Sequence, residues 1–88
     1  MSVNGEKQMT LHRIRLNGVE VWALVVEQDG GVRIRLSLDD WDRCRIGRGE
    51  RVPMQRHGRP QEWLFLAEHV EMPPVAWCNL EAQLSLAG

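Results

Sequence analysis

The chain has 88 residues, enough for one small domain with a modest core and too few for a multidomain enzyme or a repeat array. It is 43% hydrophobic and 26% charged, a globular make-up, and its two cysteines argue against a disulfide-stapled secreted module and for a cytoplasmic location. The net charge of −1 gives no overall pull toward nucleic acid or anionic lipid, and the longest uncharged apolar run, Val21–Val26, is too short to span a bilayer.

Met1–Met9 is polar and aperiodic and reads as a disordered leader to a single small domain over residues 10–88. From Leu11 apolar and polar residues alternate. Leu11–Leu16 and Val19–Gln28 flank Asn17-Gly18, a pair suited to the positive φ angles of a type I′ turn. A second two-residue turn, Asp29-Gly30, leads into Gly31–Leu38. Counting from these turns sets Leu16 opposite Val19, Ile14 opposite Val21, Val25 opposite Ile34 and Ala23 opposite Leu36. One face then carries Ile14, Leu16, Val19, Val21, Ala23, Val25, Val32, Ile34 and Leu36, the core side of a three-stranded antiparallel meander. The other face carries Arg13, Arg15, Arg33 and Arg35 on the outer strands, around Trp22, Leu24 and Val26 on the central one. Arg15 falls opposite Glu20 and Arg13 opposite Trp22, which makes an ion pair and a cation–π contact available.

Ser37 has the chemistry of a helix N-cap, and Asp39 and Asp40 suit the positive end of the helix dipole. Arg43 and Arg45 suit the other end, and Gly47 can close it. The spacing predicts a helix of about two turns with Leu38 and Trp41 on one side. Arg48-Gly49-Glu50 turns the chain into a strand over Arg51–His57, where Pro53 implies an edge or a bulge. His57-Gly58 turns it again, and Glu62–His69 reads as an apolar strand. Beyond Pro73-Pro74, Trp77, Leu80 and Leu84 have helical spacing, while Val75-Ala76-Trp77-Cys78 fits a last strand. The four tryptophans, Trp22, Trp41, Trp63 and Trp77, are spread one to an element, as core anchors would be. These elements make a mainly β (α+β) fold: a small single-domain barrel or two-layer fold with an N-terminal three-stranded meander and one short helix.

Charge is unevenly spread. Residues 33–59 carry eight arginines against four acids, whereas residues 60–88 carry four glutamates and no Lys or Arg. The chemistry-bearing side chains do not form a site by spacing. Cys44, His57, His69 and Cys78 lack the close pairs by which one turn presents two zinc ligands. His57 or His69 could in principle serve Cys44 or Cys78 as a base, but nothing local marks either cysteine as activated. Asp39, Asp40 and Asp42 are clustered, solvent-facing helix-start residues and do not form a general acid/base pair. Gly47-Arg48-Gly49 lacks the spacing of a phosphate loop. No catalytic residue, metal or cofactor is therefore expected.

Over Leu36–Leu66 the order is strand, short helix, I-x-x-G-[DE]-x-V, strand, turn, strand, with Ile46, Gly49, Glu50 and Val52 filling the motif. This third of the chain resembles the swapped-hairpin barrels of AbrB/MazE-type DNA-binding proteins and antitoxins. Ser37 stands where that family has a proline, Trp41 stands in for its helix leucine, and a hairpin precedes the unit. The resemblance implies a dimer that presents Arg33, Arg35, Arg43 and Arg45 to DNA.

Read from the residues, the Arg/Trp face favours a non-enzymatic protein-interaction module, because Trp and Arg dominate interface hot spots. Its expected contacts are Arg13, Arg15, Trp22, Arg33, Arg35, Arg43 and Arg45, and its expected partner is another protein. A nucleic-acid-binding regulator is the alternative, a homodimer remains open in either case, and no membrane partner is expected.

Overall fold

Two tight turns set the first half of the molecule. Asn17 and Gly18 both adopt positive φ, 54° and 84°, as a type I′ hairpin turn requires. In the computed structural model, which describes residues 11–28 and 30–82, they join β1 (His12–Leu16) to β2 (Val19–Gln28). The register runs Leu16–Val19, Ile14–Val21 and Arg13–Trp22, as the turn dictates. Asp29 of the second turn, the leader over residues 1–9 and the end of the tail lie outside the described residues.

β3 (Gly31–Ser37) pairs with β2 from Gln28–Gly31 to Leu24–Arg35, with Val25 opposite Ile34. Gly31 has a packing reason as well. A Cβ there would strike the Leu80 carbonyl of the strand on its other side.

Ser37 ends β3 and caps α1 (Leu38–Cys44), its Oγ accepting from the Asp40 N–H at 3.1 Å. Arg45, not Gly47, closes the helix in the left-handed conformation at φ 50°. Gly47 is used instead in the next turn, where its N–H donates to the Glu50 carboxylate at 3.2 Å and its carbonyl accepts from the Glu50 N–H. The helix lies across one end of the molecule. Its first N–H donates to the Pro74 carbonyl, and Asn17 Nδ2 donates to its Cys44 carbonyl at 2.6 Å. Trp41 and Cys44 point from it into the core.

β4 (Arg51–Gln55), β5 (Glu62–Met72) and β6 (Val75–Ala82) complete the sheet. The tail after the prolines is thus a strand, with backbone ladders to β3 on one side and to β5 on the other. Its alternate residues Ala76, Cys78 and Leu80 are buried, a period of two that outweighs the helical spacing of its larger side chains. β4 stops two residues short of the expected His57, and β5 runs three beyond His69, bending at a bulge between Leu66 and Glu68.

The six strands close into an antiparallel barrel in the order β1-β2-β3-β6-β5-β4. The fold is therefore a barrel and not two layers. Closure removes the edge that Pro53 was expected to mark. Pro53 pairs with Trp63 on β5, and its carbonyl accepts from the Asn17 N–H on the other side. In a strand the nitrogen and carbonyl of one residue point the same way, so the missing N–H of Pro53 falls where β1 ends and no acceptor needs it. The β1–β4 seam is short, with only Arg15–Gln55 and Leu16–Met54 in register.

The barrel interior is filled by Ile14, Leu16, Val21, Ala23, Val32, Ile34, Leu36, Val52, Met54, Leu64, Leu66, Ala76, Cys78 and Leu80. Trp41 is the single tryptophan in this cluster, so the expectation of four core anchors is corrected to one. It stacks on His69 at 4.7 Å between ring centres.

Candidate interaction surface

Alternation along β1, β2, β3 and β6 turns one set of side chains away from the core. In register across the barrel wall stand Arg13 with Trp22, Leu24 with Arg35 and Trp77, and Val26 with Arg33 and Asn79. Trp22 is 57% exposed, with the Arg13 guanidinium 5.6 Å from its ring centre. Leu24 is a correction. Although it shares the outer face, only 3% of it is exposed, and it lies outside the interior cluster. Arg35, its cross-strand neighbour, is itself half-buried, so a long aliphatic stem stands beside the leucine.

The same pairing of guanidinium and indole recurs around the barrel. Arg33 lies 4.5 Å and Arg35 5.8 Å from the Trp77 ring, and Arg51 lies 4.5 Å from that of Trp63. Each such contact at a partly exposed site contributes about 0.5–1 kcal/mol, and it holds the planar groups in fixed orientation. Val70 faces Trp77 from β5, and Met72 faces Val75, which extends the apolar part of this wall. Val26, Val70 and Met72 are all at least 40% exposed.

The seven expected contact residues thus fall in three places. Arg13, Arg15 and Trp22 meet on the β1–β2 wall, and Arg33 and Arg35 sit on Trp77 on the adjoining β3–β6 wall. Arg43 and Arg45 lie apart, at the C-terminal end of α1 across the end of the barrel. Arg43 is held there by Asp40 at 2.6 Å. Arg51, Trp63 and Trp77 were missed. Their pairing depends on ladders between segments far apart in sequence, which no local signal announces.

A second group also came only from the fold. Where the β1–β4 ladder stops, the barrel wall opens into a groove of about 840 Å³. Leu11–Arg15 line one side of it and Gln55–His57 with Arg59 the other. Val25 and Glu27 also line it, with Glu20 and Trp22. Glu27 accepts from Arg56 and Arg59, each at 2.9 Å, and Arg56 grips Glu62 with contacts of 2.9–3.2 Å. The hydrogen bonds from Arg56 and then Arg59 hold the Glu27 carboxyl below its ordinary range. Arg15 reaches Glu20 at 3.3 Å and Arg13 reaches it at 4.0 Å. Both of these pairs are more than half exposed, so they hold their partners weakly.

The two cysteines are buried and free, and desolvation pushes Cys44 to about 11 and Cys78 to about 12. They are protonated thiols at neutral pH. The I-x-x-G-[DE]-x-V residues form the entry to β4. Gly49 takes φ 77° and donates to the Leu66 carbonyl, Glu50 holds Gly47, and Val52 is buried. Among the described residues no three His, Cys, Asp or Glu side chains converge as a metal set, and no helix is long and apolar enough to cross a membrane. Comparison with family models, curated proteins and solved structures returns no match.

Proposed function

We propose that the protein is a non-enzymatic protein-interaction module, an adaptor, subunit or inhibitor that meets another protein through its Arg/Trp wall. One observation carries the reading: the outward tryptophans Trp22 and Trp77 each have a guanidinium within 6 Å, and exposed Val26, Val70 and Met72 stand on the same run of strands. Indole and guanidinium are the groups most enriched at interface hot spots. A wall of this kind offers apolar area together with donors fixed in direction. Glu20, Glu27 and Glu62 pair with Arg13, Arg15, Arg56 and Arg59, three carboxylates among four guanidinium groups, which suits a protein surface of mixed charge better than a phosphate backbone.

A nucleic-acid-binding regulator is the second reading. It draws on Arg33, Arg35 and Arg51, which have no acidic partner among the described residues.

A photo-crosslinking residue placed at exposed Val26 separates the two, with Asp39 of α1 as the control position. The proposal expects adducts of protein mass from position 26 in an extract of the source cells. They persist in high salt and after nuclease treatment. The double variant Trp22→Ala, Arg33→Glu should lose them while keeping a cooperative melt. Adducts that vanish with nuclease, or fall steeply with salt, overturn the proposal in favour of nucleic acid.

A further inference from the structure

A closed barrel leaves no strand edge, but this one closes imperfectly. β1 is paired along its whole length with β2, from His12–Ala23 to Leu16–Val19, whereas toward β4 it is paired only at Arg15 and Leu16. Alternation decides which backbone groups are left over. The Asn17 N–H points to β4, where it meets the Pro53 carbonyl at 2.9 Å. Residues two apart in a strand point the same way, so the N–H and C=O of Arg15 and Arg13 share that side. Arg15 has its partner in Gln55. Among the described residues Arg13 has none in the ladder, because β4 ends at Gln55 and the chain turns away through Arg56–Arg59.

The space beside these groups is the 840 Å³ groove. His12–Ile14 extend for about 10 Å, room for roughly three residues of an added strand. The walls of the groove carry Arg13, Arg15, Arg56 and Arg59 against Glu20 and Glu27, with exposed His12 and His57 beside them. Arg13 and Arg15 share the one carboxylate of Glu20, and Arg56 and Arg59 share that of Glu27, so the lining keeps four guanidinium groups against two carboxylates. Trp22 and Val25 supply apolar lining.

We infer that the open β1 edge at Arg13, with Leu11 and His12 beside it in the groove, is a strand-addition site that takes an extended acidic peptide segment of a partner protein. This deepens the interaction-module reading and rests on it. The added strand continues the line of β4, bonds through its backbone to Arg13, and sets its carboxylates against Arg13, Arg15 and Arg59. Main-chain bonds supply the affinity, and the cationic walls select the charge.

The test uses the whole chain and a labelled, end-blocked peptide of alternating Glu and Val, followed by fluorescence anisotropy and amide hydrogen exchange. The expected result is saturable binding with new protection at the Arg13 amide. N-methylation of alternate peptide nitrogens on the edge-facing side should weaken binding at least tenfold. Arg13→Pro removes the edge N–H without touching the β1–β2 ladder and should match that loss. Arg13→Gln keeps the N–H and removes the charge, so it should weaken binding less and flatten the salt dependence.

Binding that ignores N-methylation, or that is equalled by a Lys/Val peptide, overturns the inference, and so does no binding at millimolar peptide. An Arg13 amide already protected before peptide is added overturns it too, since the chain itself or a second copy then holds the edge. The crosslinks from Val26 report the interaction-module reading separately. If they persist while the peptide fails, only strand addition is lost; if both fail, the reading falls with it.

Discussion

Paired tryptophan truncations test the division between barrel interior and outer wall. Trp41 is 7% exposed, closes one end of the core and stacks on His69. Removing a large aromatic from such a position costs about 3–5 kcal/mol, because transfer energy is lost and a cavity is left. Trp22 is 57% exposed, so less than half of its surface is covered. For a side chain of about 250 Å² that is roughly 100 Å², or about 2.5 kcal/mol as an upper bound at 25 cal/mol per Å². Alanine retains part of this, which leaves a cost of about 1–2 kcal/mol. Trp41→Ala should therefore be the less stable variant by about 2–3 kcal/mol. In a domain of this size that separates the melting temperatures by roughly 10–20 °C. Urea unfolding followed by far-UV circular dichroism reads the difference without relying on the indoles themselves, and equal m-values would license the comparison. If Trp22→Ala proves as costly as Trp41→Ala, Trp22 belongs to the core and the interaction wall does not exist.

Loss of the helix cap in Ser37→Ala should cost about 1 kcal/mol and lower the melting temperature by roughly 4–8 °C, while Ser37→Asp should hold it; calorimetry decides. Glu27 has its carboxyl held below 4.5 by Arg56 and Arg59, so its contribution is present at neutral pH and fades as pH falls through the lowered value. Glu27→Gln should therefore lose a little stability at pH 7 and show a shallower decline in acid, measured by urea titrations across that range. The effect is small because Glu27 is exposed. Cys44 and Cys78, raised to about 11 and about 12, should resist iodoacetamide at pH 8 in the folded protein and react together once urea unfolds it, as mass spectrometry would show. The sign of their linkage is the reverse of that of Glu27: the stabilisation is complete below about pH 9 and declines above it.

The parts of this protein legible in the sequence are those governed by neighbours a few residues apart. Asn17-Gly18 specifies a two-residue turn, and with a period of two that turn places Ile14, Leu16, Val21 and Ala23 inside and Arg13, Arg15 and Trp22 outside. Ser37 and Asp40 similarly determine where the helix begins. Local chemistry did not decide the end of that helix. Arg45 accepts a left-handed conformation while the Cys44 carbonyl is held by Asn17, a residue 27 positions away.

What tertiary structure alone decided are the pairings between distant segments. Residues 75–82 carry both a helical and an extended pattern, and the choice falls to the strand because β3 and β5 offer ladders on both sides. Leu24 alternates outward yet is covered, since exposure depends on what the neighbouring strands bring across it. The contacts of Trp77 with Arg33 and Arg35, and the Glu27–Arg56–Arg59 cluster, need the same long-range closure. The unfilled edge of β1 exists because β4 ends at Gln55 after only two pairs. Turn geometry and alternation are local energies that a sequence carries with it. Barrel closure is a collective outcome of six strands, and its gaps belong to no single segment.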